Sequence, residues 1–459
     1  MARIYPFPGI LFNSAAVSDI GAVLCPPYDV ITLEDQYRLY LRSPHNMIRL
    51  ELGQELSDDF AERNRYLRAR EQLGKWLATG ILQKDDRPYL YLHDHYFAGK
   101  CRRALFGAVH LVEWSAGEIL PHEQTLDGPK ADRLLLLRHT RANLSPLLGL
   151  YEDPAGDIAS LIAEAASTRP VITANVPGGE QHCLWRITDQ AAIARIQATL
   201  AQQSIYLADG HHRYETALDY RNERQKSLDE CAAPDTIAAC SARHYRPQSR
   251  SSHSEAIAPW RSTLMALCSL TDPNLVILPT HRLVRLDNFS ASAFLQRLTA
   301  VFEVQKWPLL SDYTSACAQI EQELAYHQRL HRIAMVLGAE KHFFILTLKA
   351  GAQVALSHLP RSAAWCELDV ALLHYLVLCD MLGLPESEWR GGKKIVYTRE
   401  TREVLLGIDS GEFQIGFLLN PTPIGQIREV ARAADCMPQK STYFYPKLPT
   451  GLVFRLLDD

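Results

Sequence analysis

Between Tyr206 and Leu218 the chain sets an aspartate, a glycine, two histidines and an arginine in direct succession. Ser204 to Ala208 predicts a short strand, and Gly210 permits a sharp turn. Tyr214, Ala217, Leu218 and Arg221 then recur at helical spacing. A helix opening from such a turn leaves its first backbone N–H groups unpaired. With the positive end of the dipole, they favour an anion by about 0.3–2 kcal/mol. Arg213 adds a guanidinium able to grip a phosphate bidentately, which a lysine cannot do. Gly210, His211 and Arg213 therefore read as a phosphate cradle facing solvent, with Asp209 and His212 as candidates for proton transfer. The plainer alternative makes Asp209 an N-cap and leaves the histidines solvated.

A second charged group lies between Ile119 and Tyr151. His122 and Glu123 precede a loop, and Lys130, Asp132 and Arg133 open a leucine-rich helix that ends at Asn143-Leu144-Ser145-Pro146. Cations at a helix start are misplaced unless an anion binds there. Lys130 and Arg133 thus join the phosphate-binding set, and Glu123 is a candidate base, the alternative being ordinary surface charges. Asp132, Asn143, His281 and Lys440 are additional candidates. Lys440 and Lys447 lie among the aromatics of a tail, Cys436 to Phe454, which is expected to pack on the body and return to the cleft. His93 and His95 share one face of a strand and invite a metal. No third ligand lies near them in sequence, so no metal ligand is assigned.

Two resemblances attach to these residues. Asp209 to Tyr214, followed by Ala217 and Leu218, resembles the phosphate-binding signature of the ParB/sulfiredoxin-like fold, which includes partition proteins, sulfiredoxins and ADP- or ATP-dependent serine kinases. More broadly, the chain resembles the family catalogued as "domain of unknown function 1015". The blocks that carry this are Cys25-Pro26-Pro27-Tyr28-Asp29-Val30-Ile31, Asn46 to Leu50, His122 to Thr125, Lys130 to Arg133, Ala142 to Pro146, Pro279 to Leu283 and Met437 to Lys447. The first resemblance implies a nucleotide-binding core and a small hydroxylated acceptor such as serine; ATP or ADP, or another nucleotide, with Mg²⁺ bridging its phosphates is the expected cofactor. The second brings no activity with it.

The elements around these motifs predict a mixed α/β or α+β protein: a ParB/sulfiredoxin-like core embedded in a larger chain, with a C-terminal α+β domain. The boundary is expected near Phe302 to Trp307, giving regions 1–305 and 306–459. Residues 1–24 predict a strand pair, 43–52 a strand, Asp58 to Leu77 a helix with Phe60, Tyr66, Leu73 and Trp76 on its core face, and 231–258 a long surface loop. A hairpin is expected from Ile333 to Lys349, turning at Gly338. Of the 459 residues 47% are hydrophobic and 22% charged, with a net charge of −4. That balance gives no bulk attraction to nucleic acid or anionic membrane. Neither a signal-peptide layout nor an apolar run of about 18 residues is present, and ten scattered cysteines lack a C-x-x-C pair. A cytoplasmic protein with reduced thiols is the expectation.

No Walker A, G-x-G-x-x-G, G-x-S-x-G or H-E-x-x-H motif occurs. What remains suits phosphoryl transfer, whose catalysis is mostly positioning and charge neutralisation. The expected activity is a nucleotide-dependent phosphotransferase on a small metabolite. A nucleotide-binding switch or scaffold and a phospho-metabolite hydrolase stay open beside it.

Overall fold

The computed structural model describes residues 1–123, 125, 127–232, 258–326, 331–338, 340, 342–352, 356–389 and 393–458. The chain is mixed α/β and divides into two compact units. The first comprises Met1–Leu120, Thr125–Leu275 and Pro446–Asp459, the second Pro121–Gln124 and Val276–Tyr445. The division therefore falls about thirty residues before the expected boundary at 305/306, and the last fourteen residues (446–459) return to the first unit. Sequence order hid this, because the tail's membership depends on which sheet and core accept it.

A nine-stranded mixed sheet organises the first unit. Its order is Ile119–Leu120, Ile205–Asp209, Leu147–Tyr151, Ser262–Ser269, Lys100–His110, Leu90–Phe97, Glu180–Ile187 and Ile172–Val176, with Ile4–Tyr5 pairing Lys100–His110. The central strands are apolar on both faces, which marks them as covered on both sides. One core gathers Leu105, Leu207, Tyr214, Met265 and Leu267. Gly149 lets neighbouring strands close up: a Cβ there would lie 2.6 Å from Met265 Sδ and 2.7 Å from Ile205 Cγ2. The helices Arg65–Ala78, Asp127–Thr140 and His211–Ala232 belong to the same unit.

The second unit has a six-stranded sheet in the order Phe302–Pro308, His342–Leu348, Arg332–Leu337, Ile415–Leu419, His281–Val284 and Ile395–Thr398. Helices Tyr313–Ala325 and Thr401–Asp409 contribute Ile320, Val404 and Leu405 to its core, beside Phe343 and Leu418.

Local expectations differ from the structure where capping and pairing decide. Residues 43–52, expected as a strand, hold the short helix Ile48–Glu51, with Met47 at its N-cap and Asn46 just ahead of it. The Asn46 side chain donates to the carbonyls of Ala22 and Leu24 and accepts from the Ile48 N–H. The helix expected from Asp58 begins at Arg65, where Asn64 accepts from the Tyr66 and Leu67 N–H groups. Phe60, ahead of that cap, is exposed, whereas Leu73 and Trp76 are buried. The N-terminal strands do not pair with one another; Ile10–Phe12 pairs Leu82–Lys84. The expected hairpin forms from Arg332–Leu337 and His342–Leu348. Most of the expected 231–258 loop, residues 233–257, lies outside the described residues.

Candidate active site

The strand Ile205–Asp209 ends at Gly210, whose φ of +93° is a conformation that disfavours any side chain. A Cβ at Gly210 would stand 3.1 Å from Arg213 Nη2 and 3.2 Å from Leu147 Cγ. Glycine thus makes the turn and leaves room for the guanidinium folded over it. The helix starts at His211, and the Tyr214 N–H donates to the Gly210 carbonyl at 2.9 Å.

Arg213 does not face solvent. Its side chain is 10% exposed, and Nη2 donates to Asp209 Oδ2 at 2.9 Å. Nη1 donates to the Pro146 carbonyl at 2.7 Å. Asp209 also accepts from Lys447 Nζ. Burial alone would raise the Asp209 carboxyl, but Lys447, then Arg213, outweigh it and hold the pKa at about 2. Asp209 is therefore a carboxylate at neutral pH and a weak base, better suited to holding two cations than to taking a proton. Lys447 is itself placed from behind, since Arg102, fully buried, donates to the carbonyl of Pro446 at 2.6 Å.

A cavity of about 50 Å³ lies beside this pair, lined by Glu51, Arg133, Asn143, Ser145, Arg213 and Thr216 among others. One water needs about 10–15 Å³ on this scale, so the space suits a few waters or a phosphoryl-sized group. Arg133 is nearly enclosed: Nη1 donates to the Glu51 carbonyl at 2.8 Å, and Nε to Asp132 Oδ2 at 2.7 Å. Asp132 is braced in turn by Arg65 Nη2 at 2.6 Å and the Tyr66 hydroxyl at 2.7 Å. The Arg133 guanidinium lies 4.2 Å from the centre of the Tyr28 ring. Burial pushes the Tyr28 phenol up to about 12. The Glu51 carboxylate is buried and accepts from Ser145 Oγ at 3.0 Å, with Arg133 Nη1 at 3.6 Å.

The other expected residues are distributed as follows. Lys130 pairs with Glu215 at 3.1 Å, one turn along the helix that begins at His211. Glu215 also accepts from Thr125 Oγ1 at 2.6 Å. Asn143 accepts from the Leu264 N–H at 3.2 Å. His211 is buried and His212 half-buried at the helix start.

Glu123, His281 and Lys440 belong to the second unit. There Glu123 Oε1 accepts from the Lys440 N–H at 2.8 Å, and the Lys440 carbonyl accepts from Arg282 Nη2 at 2.9 Å. His281 Nδ1 accepts from the Leu419 N–H at 3.3 Å, and burial lowers its pKa to about 4. Its lone pair thus serves a backbone group inside the sheet.

Sequence reasoning did not single out Glu51, Tyr28, Ser145 or Glu215 as site residues, and named Lys447 only within a tail expected to return to the cleft. All four stand in or next to quoted blocks or the central motif, and Lys447 closes the last block. The signal present was proximity to those blocks rather than residue chemistry.

The fold and this site define a mixed α/β protein with a buried carboxylate–arginine cavity beside a strand-turn-helix motif. The chain belongs to the family described as "Protein of unknown function (DUF1015)", whose profile matches residues 4–371. No curated protein matches it. Among solved structures, it is similar to a conserved hypothetical protein from Pyrococcus furiosus at 11% identity and a TM-score of 0.33, covering 77% of this chain and 95% of that one. A free serine kinase in complex with AMP is similar at 11% identity and a TM-score of 0.33, covering 77% and 91%. A variant of a free serine kinase in complex with ADP gives 10% identity, 77% and 92% coverage, and a TM-score of 0.34. Among the described residues, no helix is long and apolar enough to cross a membrane.

Proposed function

We propose that the first unit is a nucleotide-dependent phosphotransferase, a small-molecule kinase acting on serine or a similar hydroxylated metabolite. The observation that carries this reading is the pairing of two enclosed arginines, Arg133 and Arg213, with one buried carboxylate, Glu51, around a phosphoryl-sized cavity. Arginine forks arranged by their own partners are the kind of preset electrostatics that phosphoryl transfer requires. The frame is the ParB/sulfiredoxin-like core that the Asp209 to Leu218 motif resembles.

In this reading Arg133 and Arg213 stabilise charge on the transferring phosphoryl group, and Ser145 holds the Glu51 carboxylate in place. Glu51 takes the proton of the acceptor hydroxyl as its oxygen bonds to phosphorus. The bond from phosphorus to the leaving phosphate oxygen breaks, and the nucleotide departs one phosphate shorter. Asp209 holds Lys447 and Arg213 in place instead of acting as the base. The cavity takes a phosphoryl group but not a whole nucleotide, so the remainder of ATP or ADP lies outside it. A bound Mg²⁺ would supply further charge neutralisation at the nucleotide phosphates.

The test measures ligand-induced melting shifts with inorganic phosphate, ADP and ATP, and turnover with serine and related hydroxylated metabolites. Wild type should bind nucleotide and consume it only with an acceptor. Glu51→Gln should keep the nucleotide shift and lose turnover by about 10²–10⁴-fold, the range of general acid–base catalysis. Turnover unchanged in Glu51→Gln, or nucleotide consumed equally without acceptor, overturns the kinase reading; the latter result favours the switch.

A further inference from the structure

Away from that cavity, the first unit buries three histidines on one face of its sheet. In the antiparallel pair Leu90–Phe97 and Glu180–Ile187, His182 stands opposite His95 and His93 opposite Leu184. Residues two apart share a face, so His93, His95, Glu180 and His182 converge. Ligand atoms of His95, Glu180 and His182 all lie within 4.8 Å of one another. His95 Nε2 and Glu180 Oε2 are 2.7 Å apart, and His93 Nε2 is 3.1 Å from His182 Nδ1.

We propose that His95, Glu180 and His182 form a binding site for a zinc-class divalent metal ion. Two imidazoles and one carboxylate are a donor set that zinc accepts, with a fourth position left for water or another ligand. Zinc ligands at about 2.0–2.2 Å stand about 3.4 Å apart at tetrahedral angles, so the present spacing asks for movements of about 1 Å. Burial lowers the pKa of both His95 and His182. His93 orients its neighbour: with His182 bound through Nε2, its Nδ1–H donates to His93 Nε2. That is the outer-shell hydrogen bond a metal-bound histidine needs. The Glu180 side chain is 27% exposed and gives the ion a way in.

Arg102 sets the strength of the site. Its Nη2 lies 3.4 Å from His95 Nδ1, at the long limit of a hydrogen bond, while Nη1 is anchored on the Pro446 carbonyl. Metal binding through His95 Nε2 moves that ring's proton to Nδ1 and gives up the long contact. The nearby positive charge makes the site weaker than an all-thiolate one. It also explains the need for a carboxylate in the set, whose charge offsets the guanidinium.

The experiment uses the full chain stripped of metal with a chelator, then titrated with Co²⁺ and followed by its visible d–d bands. Wild type should saturate at one equivalent and be displaced by Zn²⁺. Glu180→Gln and His182→Ala should abolish the bands, and His93→Gln should weaken binding about tenfold, as outer-shell losses do. Glu180 is partly exposed, so Glu180→Gln keeps the comparison available even if His182→Ala fails to fold. No saturable one-to-one binding by wild type, or wild-type binding by Glu180→Gln, overturns the proposal. Neither result depends on kinase activity.

Discussion

Asp209 sits 18% exposed between two cations, and its pKa, held at about 2 against a usual 3.8, makes the trio a pH-dependent clasp. The folded value is depressed, so the stabilisation is fully present above the unfolded value of 3.8 and is lost as pH falls toward 2. The shift corresponds to about 2 kcal/mol at about 1.4 kcal/mol per unit. Lys447→Met should therefore be less stable than wild type at pH 7, and the gap should narrow as urea melts are repeated from pH 5 down to 3. A gap independent of pH would mean that Lys447 contributes packing rather than charge. The same clasp changes what Arg213 does. Its type and spacing in the sequence give the expectation of a phosphate cradle facing solvent. Its engagement with Asp209 and Pro146 makes it an ion-pair member of the fold. The tail's two lysines could not be told apart by type. The one that reaches Asp209 is Lys447, while Lys440 belongs to the second unit.

At the scale of elements, periodicity and turn chemistry gave the strand before Gly210, the helix after it and the hairpin around Gly338. Elements fixed by a single side-chain cap or by distant pairing were less legible. Asn46 ties the start of a strand-like stretch to the Ala22 and Leu24 carbonyls and the Ile48 N–H, and the short helix Ile48–Glu51 that follows carries Glu51 to the cavity. The last strand shows the other limit. Arg455–Leu456 pairs with Ala142–Asn143, and buried Arg455 donates to the Ser262 carbonyl at 2.8 Å and the Pro259 carbonyl at 2.9 Å. The Phe454 N–H and carbonyl pair with Ile10, and its ring is fully buried. Phe454→Ala should cost about 3–5 kcal/mol, the usual range for an enclosed aromatic. Chemical denaturation measures it, and a loss below about 1 kcal/mol, the size of an ordinary surface change, would show that the segment closes nothing.

Over the whole molecule, each unit has its own sheet and its own apolar core, and every side chain named around the cavity belongs to the first. Composition could not reveal this, since both units draw on the same apolar residue types and the chain passes between them more than once. The consequence can be tested with a lesion confined to the second core. A Cβ at Gly416 would lie 2.3 Å from Val404 Cγ1, a β-branched side chain buried against Ile408 with little freedom to give way. Gly416→Ala should therefore cost about 1–3 kcal/mol through overpacking. Calorimetry should show a lowered transition for the second unit. The melting shift that the proposed function expects from phosphate or nucleotide should persist, because Arg133, Arg213 and Glu51 take their partners from residues of that unit. Loss of the ligand shift in parallel with the destabilisation would show that the cavity depends on the second core, and that the phosphate site is a property of the whole chain.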